Sequence, residues 1–303
     1  MDHFQEYLAT EVALDHADGQ LTRREALRRL GMMGVSVTAA SALLAACGDD
    51  DKPTTSTAGG QASTTAVATT AVTPTTARPA STPVPTQDIT FPGPNGPLMG
   101  AYAAASGAKG AVMVVHENRG LTDNIKAVAA RLAGDGYSAL AVDLLSEEGG
   151  TAKVPTAEVS AALNSAGPER IRPDLTATID ELVKRNPSAK VGLIGFCFGG
   201  AVAWDYLTVG EPRLVAATPF YGTVPAEVSF EKNKAAVLGV YGETDARVNA
   251  TRDAAKAALE KTTVPHEIKT YSGVGHGFYS QVDSEQSKAA YSDVLNWFGR
   301  HLR

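Results

Sequence analysis

The fold class predicted for residues 88–303 is α/β: a doubly wound, mostly parallel sheet with helices on both faces. Three observations predict it. Runs such as AVMVVH (111–116), YSALAVDL (137–144) and AAVLGVY (235–241) are apolar throughout rather than alternating, the pattern of strands buried on both faces. Segments of helical period separate these runs, so strand and helix alternate along the chain. The stretch is also of a length that one domain with a sizeable core fills.

The elements follow in order. Asp88–Phe91 and Leu98–Ala104 flank PGPNGP, a turn-rich sequence that suits a hairpin. Ala111–His116 is a buried strand, Leu121–Ala133 has helical spacing and ends at Gly-Asp-Gly, and Tyr137–Leu144 is the next strand. The segment Ser146–Gly167 reads as a long loop with a short helix near Pro155–Leu163, and a helix over Ile171–Lys184 follows. Lys190–Ile194 leads into a glycine-rich turn and a helix over Gly199–Leu207. Strands at Val215–Phe220, Ala235–Tyr241 and His266–Tyr271 come next, with helices at Thr251–Lys261 and Ser284–His301.

The first 87 residues differ in character. Arg23 and Arg24 precede an uncharged run, Gly31–Ala46, which reads as a twin-arginine export signal. That run is about 16 residues long, short of the about 20 that a membrane span needs. It ends in Leu-Ala-Ala-Cys at Cys47, which resembles a bacterial lipobox with the cysteine as lipidation site. Residues 1–47 are thus expected to be a signal peptide and 48–87, dominated by Thr, Ala, Ser and Pro, a disordered linker. The protein is expected outside the cytoplasmic membrane, exported by the twin-arginine translocon and held to the membrane through its N-terminal lipid alone.

Composition narrows the function classes. A net charge of −6 without a basic stripe argues against a nucleic-acid partner. Two cysteines in unlike contexts, Cys47 and Cys197, argue against a disulfide, and the six histidines lack ligand spacing, so neither metal nor cofactor is expected. A small molecule is the expected partner, and a monomer the expected state.

The chemistry concentrates in GFCFGG (195–200), a strand–turn–helix junction. Gly195, Gly199 and Gly200 leave room for a sharp elbow that presents Cys197 as a nucleophile, and the following helix directs its free N–H groups at the thiol. Phe198 N–H is the first candidate oxyanion donor. A thiol nucleophile needs a base and an acid that orients the base. Asp245 follows the strand AAVLGVY, and His276, between glycines, follows HEIKTY; nucleophile, acid and base thus come in the chain order of α/β-hydrolases. Singly, Cys197 also reads as a small core residue, Asp245 as a helix cap and His276 as a loop histidine. Glu117 and Asn118 follow the strand AVMVVH, in the loop that in such a fold supplies the second oxyanion N–H. Asn118 is its candidate donor; Glu117 reads equally as a surface carboxylate or a partner for Arg119.

Together HENRGL (116–121), GFCFGG (195–200), YGETD (241–245) and GHGF (275–278) resemble the dienelactone hydrolase (carboxymethylenebutenolidase) family across 88–303. The resemblance implies an α/β-hydrolase domain with a Cys-His-Asp triad, and a catalytic glutamate, matched by Glu117, that interacts with the resting thiol and helps to generate the thiolate as substrate binds. It also implies two arginines for a substrate carboxylate, where this chain has Glu147 beside Glu148, and Ser280. An acidic pair there opposes a carboxylate ligand. Arg119 and Arg247 are the candidate replacements, with Tyr221 and Phe278 among the aromatic residues that would line the cleft. The expectation is a carboxylic ester hydrolase acting on an ester or lactone through an acyl-enzyme. The alternative is an exported lipoprotein that binds a ligand in a hydrolase-like pocket without turnover.

Overall fold

The computed structural model describes Ala9 and residues 12–13, 22–32, 34–46 and 81–303. The N-terminal part holds α1 (Arg23–Met32) and α2 (Val37–Ala46). Hydroxyl caps start both helices: Thr22 Oγ1 accepts from Glu25 N–H and Ser36 Oγ from Ala39 N–H, each at 3.3 Å. Ala26, Leu30, Val35, Ala40 and Leu44 belong to one small apolar cluster. Arg23 and Arg24 are exposed. Among the described residues no helix is long and apolar enough to cross a membrane. Cys47 and linker residues 48–80 lie outside the described residues.

The second unit is the α/β domain. Its eight strands are β1 (Gln87–Gly93), β2 (Gly96–Ala103), β3 (Ala111–Val115), β4 (Ser138–Asp143), β5 (Val191–Phe196), β6 (Leu214–Phe220), β7 (Ala236–Gly242) and β8 (His266–Tyr271). They form one sheet in the order β1-β2-β4-β3-β5-β6-β7-β8, antiparallel at β1/β2 and β2/β4 and parallel elsewhere. The predicted hairpin is β1–β2, closed at Gly93↔Gly96. Strands β3, β4, β5 and β7 are buried at every residue, which explains why they lack alternation.

The helices are α3 (Asp123–Gly134), α4 (Val159–Arg185), α5 (Phe198–Val209), α6 (Ala246–Glu260) and α7 (Glu285–His301). Order reverses around β3, with β4 on one side and β5 on the other, so the crevice of a doubly wound sheet opens at the C-terminal ends of these strands.

The structure refines three boundaries. Val84 N–H donates to Ala130 O of α3 at 2.9 Å, so the chain is tied to the domain within the stretch expected to be linker. The expected short helix near Pro155–Leu163 and the helix from Ile171 lie end to end within Val159–Arg185 (α4), separated at Gly167, whose φ of 64° and ψ of 166° are not helical. Pro168 follows the kink, where its missing N–H suits the first turn of the resumed helix. Helix α6 starts at Ala246 rather than Thr251, because Asp245 Oδ1 accepts Val248 N–H at 3.2 Å and caps it.

Candidate active site

Cys197 sits between β5 and α5 with φ 54° and ψ −112°, a conformation that L-residues rarely hold. The glycines around it are required by backbone contact: a Cβ at Gly195 would lie 2.0 Å from Gly199 O, at Gly199 2.4 Å from Val115 O, and at Gly200 2.2 Å from Phe220 O. Cys197 N–H donates to Phe220 O at 3.1 Å, which fixes the elbow to the end of β6. The thiol is therefore held at the N-terminus of α5, whose first N–H groups have no acceptor within the helix.

His276 and Asp245 complete a line of contacts to it. His276 Nδ1–H donates to Asp245 Oδ2 at 2.7 Å, and Nε2 stands 3.1 Å from Cys197 Sγ. The carboxylate at Nδ1 selects the tautomer that leaves Nε2 facing the sulfur. Asp245 Oδ1 caps α6 while Oδ2 meets the imidazole, so one carboxylate makes both contacts that its two sequence readings call for. Neighbouring bonds join the loop of the acid to the loop of the base. Thr244 N–H donates to Val274 O at 3.0 Å, and Glu243 Oε2 accepts from Ser272 Oγ–H at 2.7 Å and Gly273 N–H at 2.8 Å. The Ser272 hydroxyl, then the Gly273 amide, hold the Glu243 carboxyl below its ordinary range.

Glu117 is anchored from its backbone and its carboxylate. The buried His116 donates from Nδ1 to Glu117 O at 2.7 Å, while its Nε2 accepts Leu144 N–H at 3.1 Å. A ring that accepts at Nε2 is neutral, and burial lowers its pKa, although Asp143 opposes the shift. His116 thus clamps the loop after β3 to the loop after β4. At the other end of Glu117, Tyr221 O–H donates to Oε1 at 3.3 Å.

The loop after β4 is fixed by two groups. Asp143 takes Leu145 N–H at 3.0 Å, Thr151 N–H at 2.7 Å and Thr151 Oγ1–H at 2.8 Å, while Thr151 Oγ1 accepts Leu121 N–H at 2.9 Å. Arg170, just past the kink of α4, grips Glu148 with two bonds of 2.7 and 2.8 Å, donates to Leu144 O at 2.7 Å, and stands 3.6 Å from Glu147. The acidic pair is therefore partly neutralised, contrary to its isolated appearance in the sequence. One helical turn on, Asp174 is 1% exposed, and burial, reinforced by Glu147 and Glu148 and opposed by Arg170, pushes its carboxyl up to about 6.

The other sequence candidates divide. Phe198 opens α5, and Asn118 is buried directly after Glu117. Arg119 is exposed, and Arg247 is half-buried in the first turn of α6. Tyr221 and Phe278 are 1% and 5% exposed and pack on each other at 5.7 Å between ring centres, so their rings belong to the core rather than to an open cleft wall. Ser280 is exposed and bonds Gly277 O at 2.8 Å. Sequence reasoning assigned no role to Glu243, although it stands in the YGETD motif, or to His116 in HENRGL. Arg170 carried no local signal, being 22 residues from Glu148.

A family model described as "Dienelactone hydrolase family" matches residues 99–302. A "Putative carboxymethylenebutenolidase" of Methylorubrum extorquens is 28% identical over 224 residues, covering 68% of this chain and 77% of the relative. A protein of the same name from Synechocystis sp. is 30% identical over 241 residues, covering 71% and 96%. Among solved structures, the dienelactone hydrolase of Anabaena variabilis superposes with a TM-score of 0.57 at 22% identity, over 72% of this chain and 100% of that one. A dienelactone hydrolase-like promiscuous phosphotriesterase from metagenomic libraries gives 0.64 at 24% identity, over 72% and 98%. These two structures share the α/β-hydrolase fold with this domain.

Proposed function

The chain belongs to the dienelactone hydrolase family, and from that premise we propose that it hydrolyses an ester or lactone of an uncharged small molecule by acyl transfer through Cys197. The observation that carries this reading is the contact line Cys197 Sγ–His276 Nε2–Asp245 Oδ2, at 3.1 and 2.7 Å. Nε2 takes the thiol proton, and the thiolate attacks the carbonyl carbon. The N–H groups of Phe198 and Asn118 receive the oxyanion. Collapse returns the proton from Nε2 to the leaving oxygen and leaves a thioester on Cys197. His276 then takes a proton from water, whose oxygen attacks the thioester, and the thiol is restored as the acid departs.

The preference for an uncharged substrate rests on the loop after β4, where one guanidinium, Arg170, faces Glu147, Glu148 and Asp174. A carboxylate ligand entering there meets more negative than positive charge. Turnover of p-nitrophenyl acetate by the full chain should fall at least about 10³-fold in Cys197→Ala. Equal rates in the two proteins would overturn the reading in favour of binding without turnover. A screen of lactones and short acyl esters for protection of Cys197 from iodoacetamide then ranks the substrates.

Export and anchoring form the second part of the proposal. The exposed arginine pair Arg23–Arg24 at the start of α1 supports twin-arginine export, with lipid on Cys47 holding the protein at the outer face of the cytoplasmic membrane. Mass spectrometry of the mature exported protein should then find an N-terminal Cys47 carrying lipid, and Cys47→Ser should lose both the lipid and the cleavage. A mature chain with an unlipidated N-terminus would sink the anchor.

A further inference from the structure

Between β8 and α7, His276 stands on a glycine-rich loop, SGVGHGF (272–278), in which Gly273 and Gly277 take positive φ values of 72° and 67°. Such a loop keeps one conformation only where it is tied, because glycine gives up the most backbone freedom on folding. Behind His276 the ties are buried. Phe278 and Tyr279 are 5% and 3% exposed, and Phe278 O accepts Ser287 Oγ–H of α7 at 2.9 Å. In front of His276 the ties lie at the surface and come from the segment that carries Asp245.

That segment continues the contact of β7 with β8 past their last register pair, Gly242↔Tyr271. Glu243 N–H donates to Tyr271 O at 2.9 Å and Thr244 N–H to Val274 O at 3.0 Å, and a Cβ at Gly242 would lie 2.6 Å from Gly275 O. Ser272 and Gly273 fall between these two backbone bonds, and the side chain of Glu243 serves them. One oxygen, Oε2, accepts Ser272 Oγ–H at 2.7 Å and Gly273 N–H at 2.8 Å.

We propose that Glu243 is a positioning residue for His276: its carboxylate ties the turn at Ser272–Gly273 to the strand end that carries Asp245, and so keeps the imidazole between Asp245 and the Cys197 thiol. The proposal rests on Cys197 and His276 being nucleophile and base. Asp245 is fixed independently by its cap on α6, whereas Gly273 stands three residues before His276, so a turn released there shifts the base against a stationary acid. The backbone bonds at Tyr271 and Val274 remain without the carboxylate, which makes its loss a misplacement rather than a collapse. The two donors, the hydroxyl first, also hold the Glu243 carboxyl below its ordinary range, so it stays an acceptor wherever a neutral imidazole acts as a base.

The test is p-nitrophenyl acetate kinetics on the full chain, with proton NMR of the His276 Nδ1–H that Asp245 accepts, assigned by its loss in His276→Gln. In Glu243→Ala, kcat should fall about tenfold with KM unchanged within about twofold. The Nδ1–H resonance should broaden through exchange with water, while the thermal midpoint, for an exposed side chain, stays within about 2 °C. Glu243→Gln keeps an acceptor oxygen and should restore a sharp resonance and a kcat within about threefold of wild type. Ser272→Ala removes the donor from the other side, and gives an answer even if Glu243→Ala does not fold. It should lower kcat about threefold in the wild-type background and no further in the Glu243→Ala background. Wild-type kcat and resonance in Glu243→Ala, a loss carried by KM, a Glu243→Gln as impaired as Glu243→Ala, or additive effects of the Ser272 and Glu243 variants would each overturn the proposal. Two results separate it from the reading beneath it. If Cys197→Ala abolishes turnover while Glu243→Ala behaves as wild type, this proposal alone fails. If turnover survives Cys197→Ala while the His276 resonance broadens in Glu243→Ala and recovers in Glu243→Gln, the nucleophile assignment alone fails.

Discussion

The ends of β5, β7 and β8, which carry Cys197, Asp245 and His276, and the loop after β4, which carries Glu147 and Glu148, solve the same problem in different ways. At the first region, the two carboxylates bond groups at their own strand end or in the loop beside it: Asp245 caps its own helix, and Glu243 binds Ser272 and Gly273 in the neighbouring loop. At the second, the acidic pair depends on Arg170, a side chain delivered by α4 from the far side of a kink. The contrast teaches that the contacts of Cys197, Asp245 and His276 are built at strand ends and a helix cap, whereas the acidic pair of the neighbouring loop, a loop whose backbone Asp143 and His116 also hold, depends for its charge balance on one cation from α4. The two regions should therefore respond differently to substitution.

The largest expected effect on that contrast is Arg170→Met. The Arg170 side chain is 15% exposed and Glu148 29%, so the pair is partly screened, and its loss should cost about 2–3 kcal/mol of stability, less than a fully buried pair. Leu144 O loses its donor at the same time. Urea denaturation measures the cost, and Glu147→Gln with Glu148→Gln in the Arg170→Met background should recover part of it by removing stranded charge. If Arg170→Met is as stable as wild type, the Asp143 and His116 bonds hold the loop without the cation and the contrast between the regions disappears.

What the sequence made legible follows the same division. The elbow was legible because Gly195, Gly199 and Gly200 each lie against backbone and tolerate no side chain, so geometry is written directly into residue identity. Asp245 and His276 were legible because each follows a strand in a fixed order and both strands are parallel neighbours, β7 and β8. Arg170 was not, because an ion pair spanning 22 residues across a kinked helix leaves no periodicity. Gly167 marked the break but read as a loop end, although Pro168 directly after it suits the first turn of a resumed helix. Tyr221 was assigned a cleft role because an aromatic residue at a strand end does not reveal its φ, and its bond to Glu117 crosses 104 residues.

Asp174 offers the smaller and more discriminating test. Its carboxyl, 1% exposed and with Oδ1 lacking a hydrogen-bond partner, keeps its proton up to about pH 6 in the folded chain, against 3.8 as the ordinary value. The folded state therefore binds more protons than the unfolded state between about pH 4 and pH 6, so stability falls as pH rises through that window. Above it the ionised carboxylate is a standing cost, offset in part by Arg170 and increased by Glu147 and Glu148. Asp174→Asn removes that cost, and the variant should be more stable than wild type by about 1–2 kcal/mol at pH 8 and equal to it at pH 4. Thermal melts across that range read the difference as a rise of several degrees that vanishes on acidification. A variant with the same advantage at both pH values would show a packing effect, and one with no advantage at pH 8 would mean that Arg170 neutralises this loop as fully as the local bonds serve the catalytic line. The stated outcome leaves Asp174, one helical turn from Arg170 in α4, as negative charge that the guanidinium does not fully offset at neutral pH, which adds to the electrostatic basis for expecting an uncharged substrate.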